Sequence, residues 1–319
     1  MNDEPRVLAK LSELNALWFQ LARAGDFVAA WKVGDEALAL RAAIDCSRWP
    51  RHHQFLWRGQ PLEGRRVLVR CYHGLGDTIQ FVRFLPRVRA IAREVILWAQ
   101  PTLLPLLRQQ RGGAHRLLPL HEGDPGVECE VTIELAEVMH VLRVDPNLIQ
   151  VESPYLSASR VAGLVPSQRY RVGVVWRAGE WCPERSVPCE LLSGLQQIPE
   201  IEWVVLQRGP ALAQWAHGFG RIPHIEGILD EARVMRELDL LISVDTCSAH
   251  LAGALGVPVW TLLPYEADWR WMQARTDTPW YPTMRLFRQR RAGEWAEVLD
   301  EVLEALQGRL MSTSLRLSR

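Results

Sequence analysis

From residue 66 onward the chain alternates short apolar strands with helices, and it does so twice. In the first pass Val67-Leu68-Val69, Glu94 to Trp98 and the weaker Val131-Thr132-Ile133 read as strands. Asp77 to Ile91 reads as a helix, and Pro101 opens another at the first helical position, where its missing N–H costs nothing. Residues 144–169 are irregular, carry three prolines, and read as a linker. The pattern then restarts. Arg171 to Trp176, Trp203 to Leu206, Ile222, Leu240 to Val244 and Pro258 to Leu262 read as strands. Helices are expected at about 189–197, 211–217, 229–237, 247–255 and 294–307. Such alternation predicts parallel sheets covered by helices on both faces. Two such passes predict an α/β protein of two Rossmann-like lobes, 55–150 and 170–308, with a cleft between them. Ligands in such sheets sit outside the carboxyl ends of the strands.

The first 50 residues follow another rule. Leu8, Leu11, Leu14, Leu17, Trp18 and Leu21 recur at helical spacing; Gly25 stops that helix, and Asp26 caps a second one bearing Phe27, Ala30, Trp31, Ala37, Leu38 and Ile44. Residues 1–50 are therefore expected to form a short all-α hairpin of tetratricopeptide type. One repeat cannot bury its own apolar face. The hairpin must pack on the rest of the chain or on a protein partner.

Composition narrows the function. Basic and acidic residues number 37 each, so no net field favours a nucleic acid. Lys10 and Lys32 are the only lysines, so any cation serving a site beyond residue 32 is an arginine, whose planar fork suits phosphate. Six cysteines form no C-x-x-C pair, which argues against a zinc site. Without an apolar signal core at the start or a run long enough to span a membrane, the chain reads as cytoplasmic.

Four stretches carry the chemistry. Cys71-Tyr72-His73-Gly74-Leu75-Gly76-Asp77-Thr78-Ile79 is a glycine loop between a strand and a helix. It is neither a dinucleotide fingerprint nor a P-loop, because Ile79 stands at the third glycine position and no G-K-[ST] occurs. Gly74 and Gly76 would let the backbone approach a ligand, and Asp77 either projects toward that ligand or merely caps the helix. Ser243 to Pro258 runs from a buried strand into a small-residue helix. The helix start offers N–H groups and a positive dipole at Thr246, Cys247 and Ser248, with His250 one turn in. Asp245 is awkward beside a phosphate and fits a sugar hydroxyl or an N–H better. The plain alternative is a packed helix with His250 satisfied in the core. Trp176 to Pro188 is a long loop after a strand, in which Arg185 is a candidate diphosphate ligand or one of two ordinary surface arginines. Gln207, just past the strand that ends at Leu206, is grouped with these donor-side residues. Asp268-Trp269-Arg270-Trp271, Trp280-Tyr281-Pro282 and Arg285 to Gln289 set aromatics beside arginines, either to stack a base or sugar or to form a core corner.

The blocks Gly-x-Gly-Asp-x-Ile, Arg-Ser-Val-Pro and Asp-Thr-x-x-Ala-His-Leu-Ala-Gly-Ala-Leu-Gly-x-Pro resemble the heptosyltransferase-like glycosyltransferases of family 9, notably members fused behind tetratricopeptide repeats. The resemblance covers about 55–305. It implies a GT-B fold and metal-independent, inverting transfer from a nucleotide-diphosphate sugar, with no resident cofactor. It implies that Asp77, in an acceptor-side lobe, is the base. By the same resemblance Arg185 holds phosphate, and Asp245, Thr246 and His250 belong to the donor segment. Cys247 departs from the family's usual Gly or Ala. The acceptor (glycan, lipid-linked or protein) is not legible. No D-x-D occurs to hold a metal-bound diphosphate. A non-catalytic nucleotide-sugar-binding scaffold that uses the hairpin for a partner, and a sugar-nucleotide epimerase on the same fold, are the other readings of these residues.

Overall fold

A computed structural model of the protein describes residues 4–110, 112–148, 153–160, 169–215 and 218–317, with side chains described to 311. It divides into two compact units. One comprises Met1–Leu156 with Asp268–Ala274, the other Ser157–Ala267 with Arg275–Arg319.

In the first unit, helices α1 (Glu4–Ala24) and α2 (Phe27–Arg41) form the expected hairpin. Gly25 makes the turn at φ 81, a left-handed conformation that costs glycine least. The Asp26 carboxylate caps α2 by accepting the Ala29 N–H at 2.9 Å. The hairpin docks through its aromatics. The Trp31 indole N–H donates to the Val144 carbonyl at 2.8 Å, and its ring stacks on His140. Asp35 binds both His140 and Arg143. Trp18 and Phe27 meet Trp269, which returns to this unit from far along the chain.

The sheet of this unit contains β1 (Arg66–Arg70), β2 (Glu94–Ala99), β3 (Arg116–Pro119) and β4 (Val131–Glu134), parallel in the order β3-β2-β1-β4. Helices α3 (Leu75–Phe81), α4 (Leu85–Ile91), α5 (Leu104–Leu107) and α6 (Val138–Val141) fill the connections. Val67, Val69, Val95 and Leu97 on one face and Leu68, Ile96 and Trp98 on the other are buried, as both-face coverage of a parallel sheet requires. The expected helix Asp77 to Ile91 is broken by a 3-10 turn at Val82–Phe84. Strand β3 was not foreseen. It lies at the sheet edge, and its residues are only half-buried or exposed, so its apolar signal is weak.

The second unit holds β5 (Tyr170–Val175), β6 (Ile201–Val205), α7 (Ile228–Met235), β7 (Leu240–Val244), α8 (Cys247–Ala254), β8 (Val259–Leu263), β9 (Met284–Arg288) and α9 (Trp295–Leu317). Its sheet is parallel in the order β6-β5-β7-β8-β9. Trp203, Trp260, Phe287, Trp295 and Val302 share one core cluster with the central strands. Ile222 is not in a strand. It is half-exposed, and only its neighbour Arg221 bridges to Val204. The expected helix at 189–197 is 3-10, as is Gly209–Gln214, whose expected extension to 217 leaves the described residues. Part of the 144–169 linker also lies outside them. Strand β9 was read only as arginines among aromatics. Its outward Arg285 instead lies over the Trp260 and Phe287 rings.

Candidate functional site

The second unit gathers its candidate residues at the carboxyl ends of three adjacent strands, β6, β5 and β7. Strand β5 runs out at Trp176 and Arg177, whose N–H groups both donate to the Gln207 carboxamide, at 3.1 and 2.9 Å. Gln207 thereby ties the β5 and β6 ends together. The loop then closes on itself, with the Ala178 N–H donating to the Ser186 hydroxyl. Proline 183 starts a 3-10 turn that ends on Arg185. Arg185 is not an open surface side chain: it is 13% exposed, with its guanidinium under the Trp181 ring at 4.1 Å and its Nη1 3.7 Å from the Asp245 carboxylate. The Arg185 Nε is buried without an acceptor among the described residues.

Asp245 follows the last residue of β7 and is buried. Thr246 is extended and serves as the N-cap of α8, its carbonyl accepting from Ala249 and His250. Cys247 and Ser248 follow as the first helical residues, at the positive end of the helix. Two side chains of α8 turn inward. The Ser248 hydroxyl donates to Glu231 on α7 at 2.5 Å. His250 is a core histidine, with Nδ1 2.8 Å from the Tyr281 hydroxyl and Nε2 3.8 Å from Asp245. Glu231 is buried, which pushes its carboxyl up against the opposing pull of Ser248 and Arg208. The sequence reading missed Glu231 and Arg208; no local motif marks them, since each is an ordinary helix or loop residue until the fold assembles them. Tyr281 belongs to the Trp280-Tyr281-Pro282 stretch, and the structure gives it the core reading.

The glycine loop, with Gly74, Gly76 and Asp77, belongs to the first unit. Gly74, not Asp77, is the N-cap of α3. Gly76 sits in the first turn. Asp77 is the third helical residue, and its Oδ2 accepts the Gly74 N–H at 2.9 Å. Its Oδ1 is held by Arg270. That arginine also donates to Gln80 at 2.7 Å and to Asp268 at 2.8 Å, and it lies over the Phe81 and Trp269 rings. The Asp268-Trp269-Arg270-Trp271 stretch is thus a core corner whose one polar fork fixes Asp77. Gln100 anchors the other side, donating to the His73 carbonyl and accepting from the Thr78 hydroxyl. Burial holds the His73 imidazole below its usual range, Asp77 opposes this, and Arg270 reinforces it. Below the loop, the Glu134 carboxylate accepts the Tyr72 N–H at 2.7 Å and pairs with buried Arg70 at 3.0 Å.

Among the described residues, no group of three or more His, Cys, Asp or Glu side chains is placed to hold a metal ion, and no helix is long and apolar enough to cross a membrane.

No protein-family model matches the chain. It is 28% identical to Protein FlbA of Caulobacter vibrioides, over 90% of this chain and 54% of that protein. The chain thus spans about half the length of the curated relative it matches. Among solved structures it is similar to the glycosyl transferase family 9 protein from Veillonella parvula DSM 2008, at 13% identity over 72% of this chain and 87% of that one, TM-score 0.50. It is also similar to E. coli ADP-heptose lps heptosyltransferase II, at 14% identity over 78% and 99%, TM-score 0.50. E. coli heptosyltransferase WaaC with ADP matches at 14% identity over 75% and 99%, TM-score 0.50. Such identities bear on fold: the protein has the α/β, GT-B-like fold of these glycosyltransferase structures, preceded by a helical hairpin.

Proposed function

We propose that the chain moves a sugar from a nucleotide-diphosphate donor to an acceptor hydroxyl, without a metal and with inversion. In this reading 170–308 is the donor side and 55–150 the acceptor side. The acceptor is a glycan, a lipid-linked molecule or a protein. The hairpin of residues 1–50 is a single tetratricopeptide-like repeat open to a protein partner, and the chain works in the cytoplasm. One observation carries the proposal: Arg185, Asp245 and the α8 start, the residues that carry the family resemblance, are held together at adjacent strand ends of a family 9-like fold.

In the reaction the acceptor oxygen attacks the anomeric carbon and loses its proton to the Asp77 carboxylate. The bond from that carbon to the diphosphate oxygen breaks, and the leaving diphosphate keeps the electron pair. Arg185 and the helix dipole of α8 stabilise the charge as it develops. Asp77 suits this task because Arg270 and Gly74 fix its orientation, while each carboxylate oxygen retains a second lone pair for the acceptor proton. The same two engagements favour the second reading, a binding protein in which Asp77 only holds the loop.

The test measures nucleoside diphosphate release from ADP-, UDP- and GDP-sugars with an acceptor extract, with and without chelator, for wild type and Asp77→Asn. Asparagine loses the ion pair to Arg270, which for a partly exposed pair is worth ~1 kcal/mol at most. Turnover is expected to fall by ~10²–10⁴ with donor affinity kept. Donor binding with no turnover in wild type supports the binding-protein reading, and activity lost to chelator and restored by manganese overturns the metal-free one.

A further inference from the structure

The donor-side strand ends contain two arginine–carboxylate pairs, and only one has been given a role. Asp245 couples Arg185 to His250. Glu231, on the first turn of α7, does the same for Arg208 and Ser248: its Oε2 is 3.3 Å from Arg208 Nη2 and its Oε1 accepts from the Ser248 hydroxyl at 2.5 Å. A single carboxylate group therefore separates the Arg208 fork from the second residue of α8. Arg208 follows Gln207 directly at the end of β6, and the Gln207 amide donates to the Arg208 carbonyl at 3.2 Å. Through Gln207 the backbone at that point is tied to the end of the neighbouring strand β5.

The two members of the pair differ in exposure. The Glu231 side chain is 3% exposed and that of Arg208 43%. A solvated arginine needs no buried partner, and a buried carboxylate is costly to desolvate. The arrangement makes sense if the carboxylate aims the cation. One nitrogen of the fork is anchored, and its remaining N–H donors have no acceptor among the described residues. Charge balance points the same way. Asp245 and Glu231 together would repel a diphosphate. With both arginines present the four side chains are neutral, which leaves the α8 dipole and the free edge of the Arg208 fork to attract the anion.

We propose that Arg208 is a second diphosphate-binding residue, held beside the α8 start by Glu231, and that it makes the site select nucleoside diphosphates over monophosphates. This rests on the reading of the second unit as the donor side. Glu231 is a positioning residue, acting only through Arg208 and Ser248.

The test is calorimetric titration of the full chain with ADP, UDP, GDP and the matching monophosphates. It compares wild type, Arg208→Gln, Arg208→Lys and Glu231→Gln, with melting temperatures taken on the same samples. For the base that wild type binds best, Arg208→Gln is expected to weaken the diphosphate ~10–100-fold, the equivalent of losing one charged hydrogen bond. The monophosphate should change little. Lysine should restore part of the loss, since it keeps the charge but not the fork. Glu231→Gln should narrow the diphosphate-to-monophosphate ratio without lowering the melting temperature, because glutamine still accepts from Ser248. An unchanged ratio in Arg208→Gln overturns the inference while leaving the donor site standing. So does a Glu231→Gln variant that only melts earlier. A wild type that binds none of the three diphosphates overturns the donor-side reading and the inference with it.

Discussion

Helix α8 is seated on a tyrosine ring, and this makes Gly253→Ala an informative perturbation. Gly253 lies in α8, one turn past Ala249. A Cβ built there would stand 2.5, 2.6 and 2.9 Å from three ring carbons of Tyr281. Tyr281 is fully buried, and its hydroxyl bonds His250 at 2.8 Å. The ring must move by close to 1 Å to restore ordinary contact, enough to break that hydrogen bond. Overpacking of this kind costs ~1–3 kcal/mol, and the stranded buried partner costs a further ~1–3 kcal/mol. Alanine returns ~1 kcal/mol through its better helix propensity. The net is a destabilisation of ~1–5 kcal/mol, or ~2–20 °C in melting temperature for a unit of this size. Thermal unfolding followed by circular dichroism reads this directly, and Tyr281→Phe separates the hydrogen-bond part, since it leaves the ring in place. Donor affinity should fall with stability, because His250 faces Asp245. A Gly253→Ala protein that melts at or above the wild-type temperature would refute the packing argument.

Two further outcomes are expected. Burial pushes the Glu134 carboxyl up to about 7, against the pull of Tyr72 and Arg70. A carboxyl raised in the folded state adds stability that is full below its unfolded value near 4.5 and is lost as pH rises through about 7. Unfolding free energies from urea titrations at pH 4 to 8 should therefore fall by up to ~3 kcal/mol more in wild type than in Glu134→Gln; parallel profiles would sink this. Asp26→Ala should cost ~1 kcal/mol and speed amide exchange in the first turn of α2, with other regions unaffected; unchanged exchange there would remove the cap from the account.

Much of this architecture is legible in the chain. The hairpin could be read because helical spacing, Gly25 and Asp26 are local signals that act within a few residues. The central strands β1, β2, β5, β7 and β8 could be read because a parallel sheet buried on both faces demands continuous apolar runs. The edge strand β3 and the arginine-bearing β9 could not, since half-buried or mixed residues carry no such run. The strand-loop-helix passages around Gly74 and Asp245 stood out as well, because glycines and small polar residues at a strand end have few other uses.

Only the tertiary structure decided what each polar side chain holds. Asp77 could be a cap or a base by sequence; the fold fixes its orientation through two partners, the Gly74 N–H close by and Arg270, 193 residues away. Ser248 and His250 could face a ligand or the core by sequence. They turn inward to Glu231 and Tyr281, 17 and 31 residues away. The physical reason is the same throughout. Backbone conformation and burial pattern follow from interactions between near neighbours, which the sequence displays. A hydrogen-bond or ion-pair partner is fixed by the path of the whole chain, and a buried charge takes whichever partner that path brings within reach.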